Sequence, residues 1–244
     1  MKYPMVLFLF CSTFAMSAQA EQNSRFSFRL VPRVALISLN LVDQPSSQSP
    51  RVLSMPALGL GVNLSYALGQ SVALGRSSAS GQWVAGFQAS IEGYSFHSPG
   101  PGWSLGNASG MNPRFALSLQ MPVLKILQIR LSAGQTRLQA ISVSSAQMLT
   151  MSSANALFAE LNFIYLIPPM NIGEFSLFFG PNYLGASDYE GRASTPGVGY
   201  QGGAELKFGN NSVELSYRNR AIGFSTSDMS DQRMQLQFQL GLGR

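Results

Sequence analysis

The segment MQLQFQLGLGR, from Met234 to Arg244, alternates between apolar side chains and glutamine or glycine. In a β-strand, one face would carry Met234, Leu236, Phe238, Leu240 and Leu242, and the other Gln235, Gln237, Gln239, Gly241 and Gly243. A period of two over about ten residues is typical of a strand that crosses a bilayer, apolar toward lipid and polar toward a lumen. The segment therefore predicts a transmembrane β-strand.

The same alternation recurs along the chain and predicts ten strands. Their ranges are 25–40, 58–66, 83–92, 114–121, 127–134, 157–165, 175–183, 198–208, 212–224 and 234–244. Pro32 interrupts the first range, which favours a bulge or a sheet edge there because proline cannot donate to a ladder. The pattern predicts an all-β, antiparallel, up-and-down transmembrane β-barrel of about ten strands. Eight strands remain open, because the link over 69–82 is long for a turn.

The links between these segments alternate in length. Short links follow Met121, Ile167 and Phe208, whereas longer links rich in Ser, Gly, Pro and Asn cover 42–56, 97–112, 144–153, 187–196 and 225–232. Outer-membrane barrels have short periplasmic turns and longer extracellular loops. An even number of strands then leaves both chain ends in the periplasm.

Aromatic side chains on the apolar faces gather near the predicted strand ends. Tyr66, Trp83, Tyr165, Phe175 and Phe208 would lie at the periplasmic ends, and Phe115, Tyr183, Tyr200 and Phe224 at the opposite ends. Two such girdles at the membrane interfaces are typical of membrane barrels.

The N-terminal segment from Met1 to Ala20 has the features of a secretory signal peptide. Lys2 precedes a short apolar stretch, and the segment ends in a small-x-small motif at Ala18–Ala20. We expect a signal peptide over 1–20 and one barrel domain over 21–244. Cys11 is the sole cysteine, so the mature chain is expected to contain no disulfide.

Composition agrees with a membrane barrel. Only 11% of residues are charged, against about 25% in ordinary soluble domains. The net charge of +5 could suggest a nucleic-acid partner, but the arginines are scattered singly in an exported chain, so none is expected. A secreted soluble β-barrel or sandwich would show the same alternation. The polar faces, however, are mostly Gly, Ser, Gln and Asn rather than the Lys and Glu of a water-facing sheet.

Over the whole mature chain, these features resemble those of small outer-membrane β-barrel proteins of Gram-negative bacteria. The resemblance implies a location in the cell outer membrane, contact with its lipid, and insertion by the barrel-assembly machinery. Members of the class typically end in an aromatic residue, preceded by apolar residues at alternate positions. Leu236, Phe238, Leu240 and Leu242 match those positions, but Arg244 stands where the aromatic residue is expected. The difference concerns assembly more than fold.

The polar faces predict a charge network in the lumen. Its members are Glu92, Arg114, Arg130, Glu160, Glu205, Lys207, Glu214, Arg218 and Arg220. Opposite charges attract strongly in a narrow, poorly hydrated interior and are costly to leave unpaired. We therefore expect a largely plugged lumen and a structural or surface-interaction role. The alternative is a narrow, weakly anion-preferring channel for small solutes, because cations slightly outnumber anions.

No catalytic, cofactor or metal site is expected. Barrel hydrolases place a serine and a histidine together at the rim, with a third group orienting the histidine. This chain has one histidine, His97, directly before Ser98 and without an acidic neighbour in sequence. A rim lipid hydrolase using His97 is therefore the less favoured alternative. The acidic loop residues lack the spacing of a calcium-binding loop. The sequence does not predict an oligomeric state.

Overall fold

The computed structural model describes residues 25–41, 50–70, 82–99, 102–106, 109–145, 148–168, 173–225 and 227–242. The predicted signal peptide over 1–20 lies outside these residues, as does Arg244. None of the described residues belongs to a helix long and apolar enough to cross a membrane.

Ten strands of the described chain form the wall of a barrel, and four short ones lie in the connections. In chain order they are β1 (Phe26–Leu41), β2 (Arg51–Leu53), β3 (Ala57–Gln70), β4 (Gln82–Ser95), β5 (Ser104–Gly106), β6 (Ser109–Leu124), β7 (Leu127–Ser145), β8 (Met148–Leu166), β9 (Glu174–Leu184), β10 (Asp188–Tyr189), β11 (Arg192–Ala193), β12 (Gly197–Phe208), β13 (Asn211–Gly223) and β14 (Asp228–Gly241). The short strands are β2, β5, β10 and β11.

The wall closes on itself. Sequential wall strands pair antiparallel from β1 through β3, β4, β6, β7, β8, β9, β12 and β13 to β14, and β14 pairs back with β1. The closing ladder runs from Arg29 opposite Gly241 to Leu41 opposite Met229. The predicted antiparallel ten-stranded barrel is confirmed. The eight-stranded alternative is wrong, because β3 and β4 pair directly on either side of the long 71–81 link.

Pro32 lies within a wall strand rather than at a bulge or a sheet edge. It is opposite Leu60 in an unbroken β1–β3 ladder, while the β1–β14 ladder lacks pairs at Val31 and Pro32 without a change of register. The missing proline N–H is therefore accommodated by a short gap in one ladder. Proline at the seventh position of Phe26–Leu41 did not end the strand.

The predicted loop over 144–153 is largely strand. β7 continues to Ser145 and β8 begins at Met148, so the two form a hairpin longer than their neighbours. The hydroxyls of Ser142 and Thr150 lie 2.8 Å apart across it. Thr150 lies in the predicted loop, and its hydroxyl here pairs with that of Ser142 across the two strands.

The apolar face of the wall points outward. Leu58, Leu117 and Leu157 are 68%, 66% and 69% exposed, and in β9 exposed and buried residues alternate along the strand. The soluble alternative required these side chains to point inward, so it is not the arrangement found. Of the expected girdle residues, Phe224 is buried inside the barrel instead, whereas Tyr66, Trp83, Phe115, Tyr165, Tyr183 and Tyr200 are exposed.

Candidate functional site in the barrel interior

Apolar side chains fill the end of the barrel where the long links lie. We call this set the mouth cluster. Its buried members are Ala35, Ile37, Leu39, Leu41, Val52, Ala57, Phe96, Ala116, Leu138, Ala140, Ile141, Leu149, Met151, Ala154, Ala156, Phe158, Leu184, Tyr189, Ile222, Phe224 and Met229. Tyr94, Trp103 and Leu105 pack against them.

A hairpin in the β9–β12 connection contributes the centre of the mouth cluster. Strands β10 and β11 pair through Asp188 opposite Ala193, and Gly191 at the turn has φ of 87°. The Gly191 N–H donates to Asp188 Oδ1 over 2.6 Å. Glycine tolerates this positive φ at little cost, so the turn is tight and Tyr189 is carried inward.

Tyr189 and Phe224 meet edge to face inside the mouth. Their ring centroids are 5.4 Å apart at 73°, a favoured geometry for aromatic pairs. The Arg192 guanidinium lies 4.5 Å from the Phe224 ring centroid. Burial raises the pKa of the Tyr189 phenol, so this hydroxyl stays neutral and the mouth cluster carries no tyrosinate charge.

Below the mouth cluster, one glutamate binds three arginines. Arg114 Nη2 donates to both Glu160 oxygens at 3.0 and 2.9 Å. Arg218 and Arg220 approach Glu160 Oε1 at 3.3 and 3.4 Å. Arg220 also donates through Nε to Asn182 Oδ1 at 3.1 Å. These contacts join β6, β8 and β13 across the lumen.

A second ion pair joins two other strands across the lumen. Arg233 of β14 lies 3.1 Å from Glu92 of β4. The Glu92 oxygens accept no hydrogen bond within the described chain, so the contact is an ion pair of poor hydrogen-bond alignment. Arg33 of β1 is also buried beside this pair.

A cavity of about 110 Å³ adjoins these charges. It is lined by Arg33, Asn63, Gln88, Arg114, Ala116, Ser118, Arg130, Ser132, Glu160, Asn162, Phe178, Gln201, Glu214, Ser216, Tyr217, Arg218, Arg233, Gln235, Gln237 and Gln239. Side-chain amides brace its wall: Gln201 Nε2 donates to Asn162 Oδ1 at 2.9 Å and Gln201 Oε1 accepts from Arg218 Nε at 3.2 Å.

The interior becomes more accessible toward the end with the short turns. Lys207 lies 3.8 Å from Glu205, and its side chain is 34% exposed. Arg29 donates to Gln239 at 3.2 Å in a partly buried contact. The mouth end, by contrast, contains Tyr189 and Met229 at 0% exposure.

Seven of the nine predicted lumen residues take part in ion pairs around three glutamates, and the other two line the cavity. Glu160 gathers Arg114, Arg218 and Arg220, Glu92 meets Arg233, and Glu205 meets Lys207. Arg130 and Glu214 line the cavity, and no ion pair joins either to another described residue. The guanidinium of Arg130 instead lies 5.7 Å from the Phe178 ring centroid.

Sequence reasoning missed Arg33, Asp231 and Arg233, which are all buried in the lumen. Their positions in the alternating pattern could have shown that they face the lumen. Arg33 continues the polar series of Arg25 and Arg29, but the interruption at Pro32 hides this continuity in the sequence pattern. Asp231 and Arg233 share the face of Gln235, but the last strand was predicted to begin at Met234 rather than Asp228.

His97 lies at the rim, exposed to solvent, and its backbone N–H donates to the Leu53 carbonyl at 3.2 Å. Ser98 Oγ donates to the Trp103 carbonyl. Among the described residues, no three His, Cys, Asp or Glu side chains could together hold a metal ion. That the chain has no catalytic site stays a prediction.

No protein-family model matches the chain, and no curated protein matches it. Solved structures similar to it include the β domain of the Bordetella autotransporter Brka, with a TM-score of 0.48 and 10% identity over 88% of this chain and 99% of that one. The translocator domain of the autotransporter NalP from Neisseria meningitidis gives 0.38 and 11%, covering 96% and 95%. The CymD monoaromatic hydrocarbon channel gives 0.32 and 8%, covering 89% of each chain.

The barrel's own geometry defines its class. A closed antiparallel wall of ten strands pairs every wall strand on both sides, and its outer surface is apolar while its interior is polar below the mouth cluster. In lipid, backbone polar groups need internal partners, which a closed barrel supplies. The chain is a β-barrel protein of the outer-membrane type.

Proposed function

We propose that the protein resides in the outer membrane as a barrel closed at its mouth, with a structural role or one in surface interactions through its long loops. The observation that carries the proposal is the mouth cluster, which fills the loop end of the lumen with buried apolar side chains. Closely packed interiors leave few gaps wide enough for water. An ion entering from the loop side would meet this seal first.

The Glu160 contacts support closure at a second level. Three arginines from two strands reach one carboxylate, which is 6% exposed at its side chain. Moving any of them aside would leave a charge unpaired at low dielectric, which is costly. The charged residues around Glu160 therefore oppose opening of the lumen, in addition to the mouth cluster.

The test is single-channel recording of the refolded mature protein in planar bilayers, with a heat-shift gel confirming the folded barrel. We expect no discrete openings. A triple variant, Phe96→Gly, Tyr189→Gly and Phe224→Gly, should open the mouth, while Met55→Gly, at an exposed loop position, should stay silent. Stable openings of the unmodified barrel would contradict closure.

The location has its own test. Inner and outer membranes separate on a density gradient, and the mature protein should sediment with the outer fraction. Recovery from the soluble periplasmic fraction would contradict the proposal. Contact with outer-membrane lipid and passage through the barrel-assembly machinery are part of the same proposal, and both follow from an apolar belt on an exported barrel.

A narrow channel with weak anion preference is the second candidate. The observation that favours it is the cavity wall, where arginines outnumber glutamates five to two. Charged rings set selectivity in pores. If the unmodified barrel conducts, Glu160→Lys should shift its reversal potential toward stronger anion preference, whereas in a closed barrel the same change should lower stability and leave the bilayer silent.

A further inference from the structure

The cavity below the mouth cluster has more cationic than anionic groups in its wall. Its charged lining residues are Arg33, Arg114, Arg130, Arg218, Arg233, Glu160 and Glu214. Glu92, which pairs with Arg233 from beyond the lining, reduces the excess to two positive charges. An enclosed space with this balance lacks a partner for some of its guanidinium groups.

Arg33 is held so that it extends into this cavity. Its aliphatic stem and guanidinium lie along two glycines of β3. A Cβ at Gly59 would stand 2.8 Å from Arg33 Cγ, and one at Gly61 would stand 2.9 Å from Arg33 Nη2. Both distances are too short for a side chain. Because Gly59 and Gly61 carry no side chain, β3 leaves space for the Arg33 side chain to reach the cavity.

Two donor atoms of the Arg33 guanidinium are buried without a hydrogen-bond partner among the described residues. The residue is 6% exposed, and its Nε and Nη2 make no hydrogen bond within the described part of the chain. No described carboxylate lies within ion-pair distance of Arg33. Arg114 Nε is likewise buried without a hydrogen-bond partner there. Buried donors of this kind are rarely left unsatisfied in native proteins.

The carboxylates nearby do not supply what is missing. Glu92, the carboxylate that acts most strongly on Arg33, is already paired with Arg233 over 3.1 Å. Glu160 already contacts Arg114, Arg218 and Arg220. Glu214 stands directly opposite Glu205 in the β12–β13 register, so two like charges share that side of the lumen. The free guanidinium donors therefore call for an acceptor from outside the chain.

We propose that this cavity binds one small oxyanion of the phosphate, sulfate or carboxylate type, with Arg33 as its principal ligand. A guanidinium presents a planar fork of donors that matches two oxygens of such an ion. Arg130 and the amides of Gln235 and Gln237 line the same space. The cavity of about 110 Å³ has room for one such ion and a few waters, since roughly 10–15 Å³ suffices for a water molecule.

The ion enters from the turn end. The mouth cluster is buried to 0% exposure at Tyr189 and Met229, whereas Lys207 at the other end is 34% exposed at its side chain. This inference rests on the proposed closed lumen, because a sealed mouth makes the cavity a terminal site and not a point of passage. In the outer membrane, this end faces the periplasm.

Equilibrium dialysis with radiolabelled sulfate tests the site. The refolded full-length mature barrel, in non-ionic detergent and a buffer free of other oxyanions, should bind sulfate saturably at one ion per barrel. Arg33→Met should weaken binding at least tenfold. Arg137→Met is the matched control, because Arg137 lies on the outer surface and bonds Ser153, and it should bind as the unmodified barrel does. Equal binding by Arg33→Met, or linear uptake without saturation, would overturn the proposal.

A second measurement covers failure of Arg33→Met to fold, which a heat-shift gel would reveal. Crystals of the unmodified protein soaked in selenate should give an anomalous peak within hydrogen-bond distance of the Arg33 guanidinium. Absence of that peak from a well-ordered cavity would overturn the site. Single-channel recording separates the two proposals. A silent barrel that does not bind sulfate saturably would support closure and overturn the oxyanion site. A conducting barrel that binds sulfate saturably would overturn closure and support the oxyanion site.

Discussion

The two regions of the lumen are filled by different kinds of side chain. The mouth end is filled by packed apolar side chains around Tyr189 and Phe224. Farther in, the lumen holds ion pairs around Glu160 and a small polar cavity. Apolar packing stabilises the fold without specific partners, because the hydrophobic effect is not directional. A buried charge, by contrast, is costly whenever its oppositely charged partner is removed. The mouth should therefore respond to lost volume, and the charged layer to lost charge.

The largest effect is expected from Glu160→Gln. This change keeps the shape but leaves Arg114, Arg218 and Arg220 facing a neutral amide, and removing one partner of a buried ion pair costs about 3–5 kcal/mol. Urea unfolding of the barrel in micelles measures the loss. Glu190→Gln, at an exposed loop position, is the control and should change little. A loss no larger than the control's would mean that the arginines are compensated by other groups.

Phe224→Ala should come next and should act on the mouth. Removing the ring leaves a cavity beside Tyr189, and buried Phe→Ala changes cost about 3–5 kcal/mol where the site cannot collapse. We expect the low end here, because Phe224 is 8% exposed. The same urea assay applies, with Met55→Ala as an exposed control. A free-energy loss above that of Glu160→Gln would reverse the contrast between the mouth cluster and the charged layer.

Gly180→Ala tests the wall that both regions share. A Cβ at Gly180 would fall within bonding distance of the Leu161 carbonyl oxygen, whereas one at Gly93 would meet only Leu58 O at 3.9 Å. Strands β8 and β9 would have to separate, and such overpacking typically costs about 1–3 kcal/mol. Gly93→Ala should be near neutral. Equal unfolding free energies for the two variants would show that the wall relaxes freely at Gly180.

The smallest effect is expected from Arg192→Gln, which removes the cation from the Phe224 ring. Cation–π contacts at partly exposed sites contribute about 0.5–1 kcal/mol. Arg192→Lys keeps the charge and should recover part of the loss in the same unfolding assay. If both variants unfold as the unmodified barrel does, the mouth is held by apolar packing alone.

Much of the wall was predictable because its signal is local. Alternation within a strand decides which side chains point outward, and it located all ten wall strands. The strand ends were less predictable: Thr150 has the composition of a loop residue, and only the neighbouring strand with Ser142 makes it part of the sheet. Pro32 was misleading for the same reason, since one ladder gap accommodated it.

The candidate site was predictable only in composition. The alternation of side chains along each strand placed Glu160, Arg114, Arg218 and Arg220 on inward faces. It does not show at which level along the barrel axis each side chain lies. Which charges meet depends on strand tilt and stagger in the closed wall. Arg220 reaches a glutamate 60 residues away in sequence, and that contact exists only once the barrel has closed.

The sequence by itself determined the wall strands, their outward apolar faces and the polar faces that line the charged part of the lumen, because a side-chain period of two is a property of each strand alone. The tertiary structure decided the rest. Only closure brought Glu160 to three arginines, packed Tyr189 into the mouth cluster, and left two donor atoms of Arg33 buried beside Gly59 and Gly61 without a hydrogen bond in the described chain. These contacts join distant strands, and their geometry is set by the stagger of the whole wall.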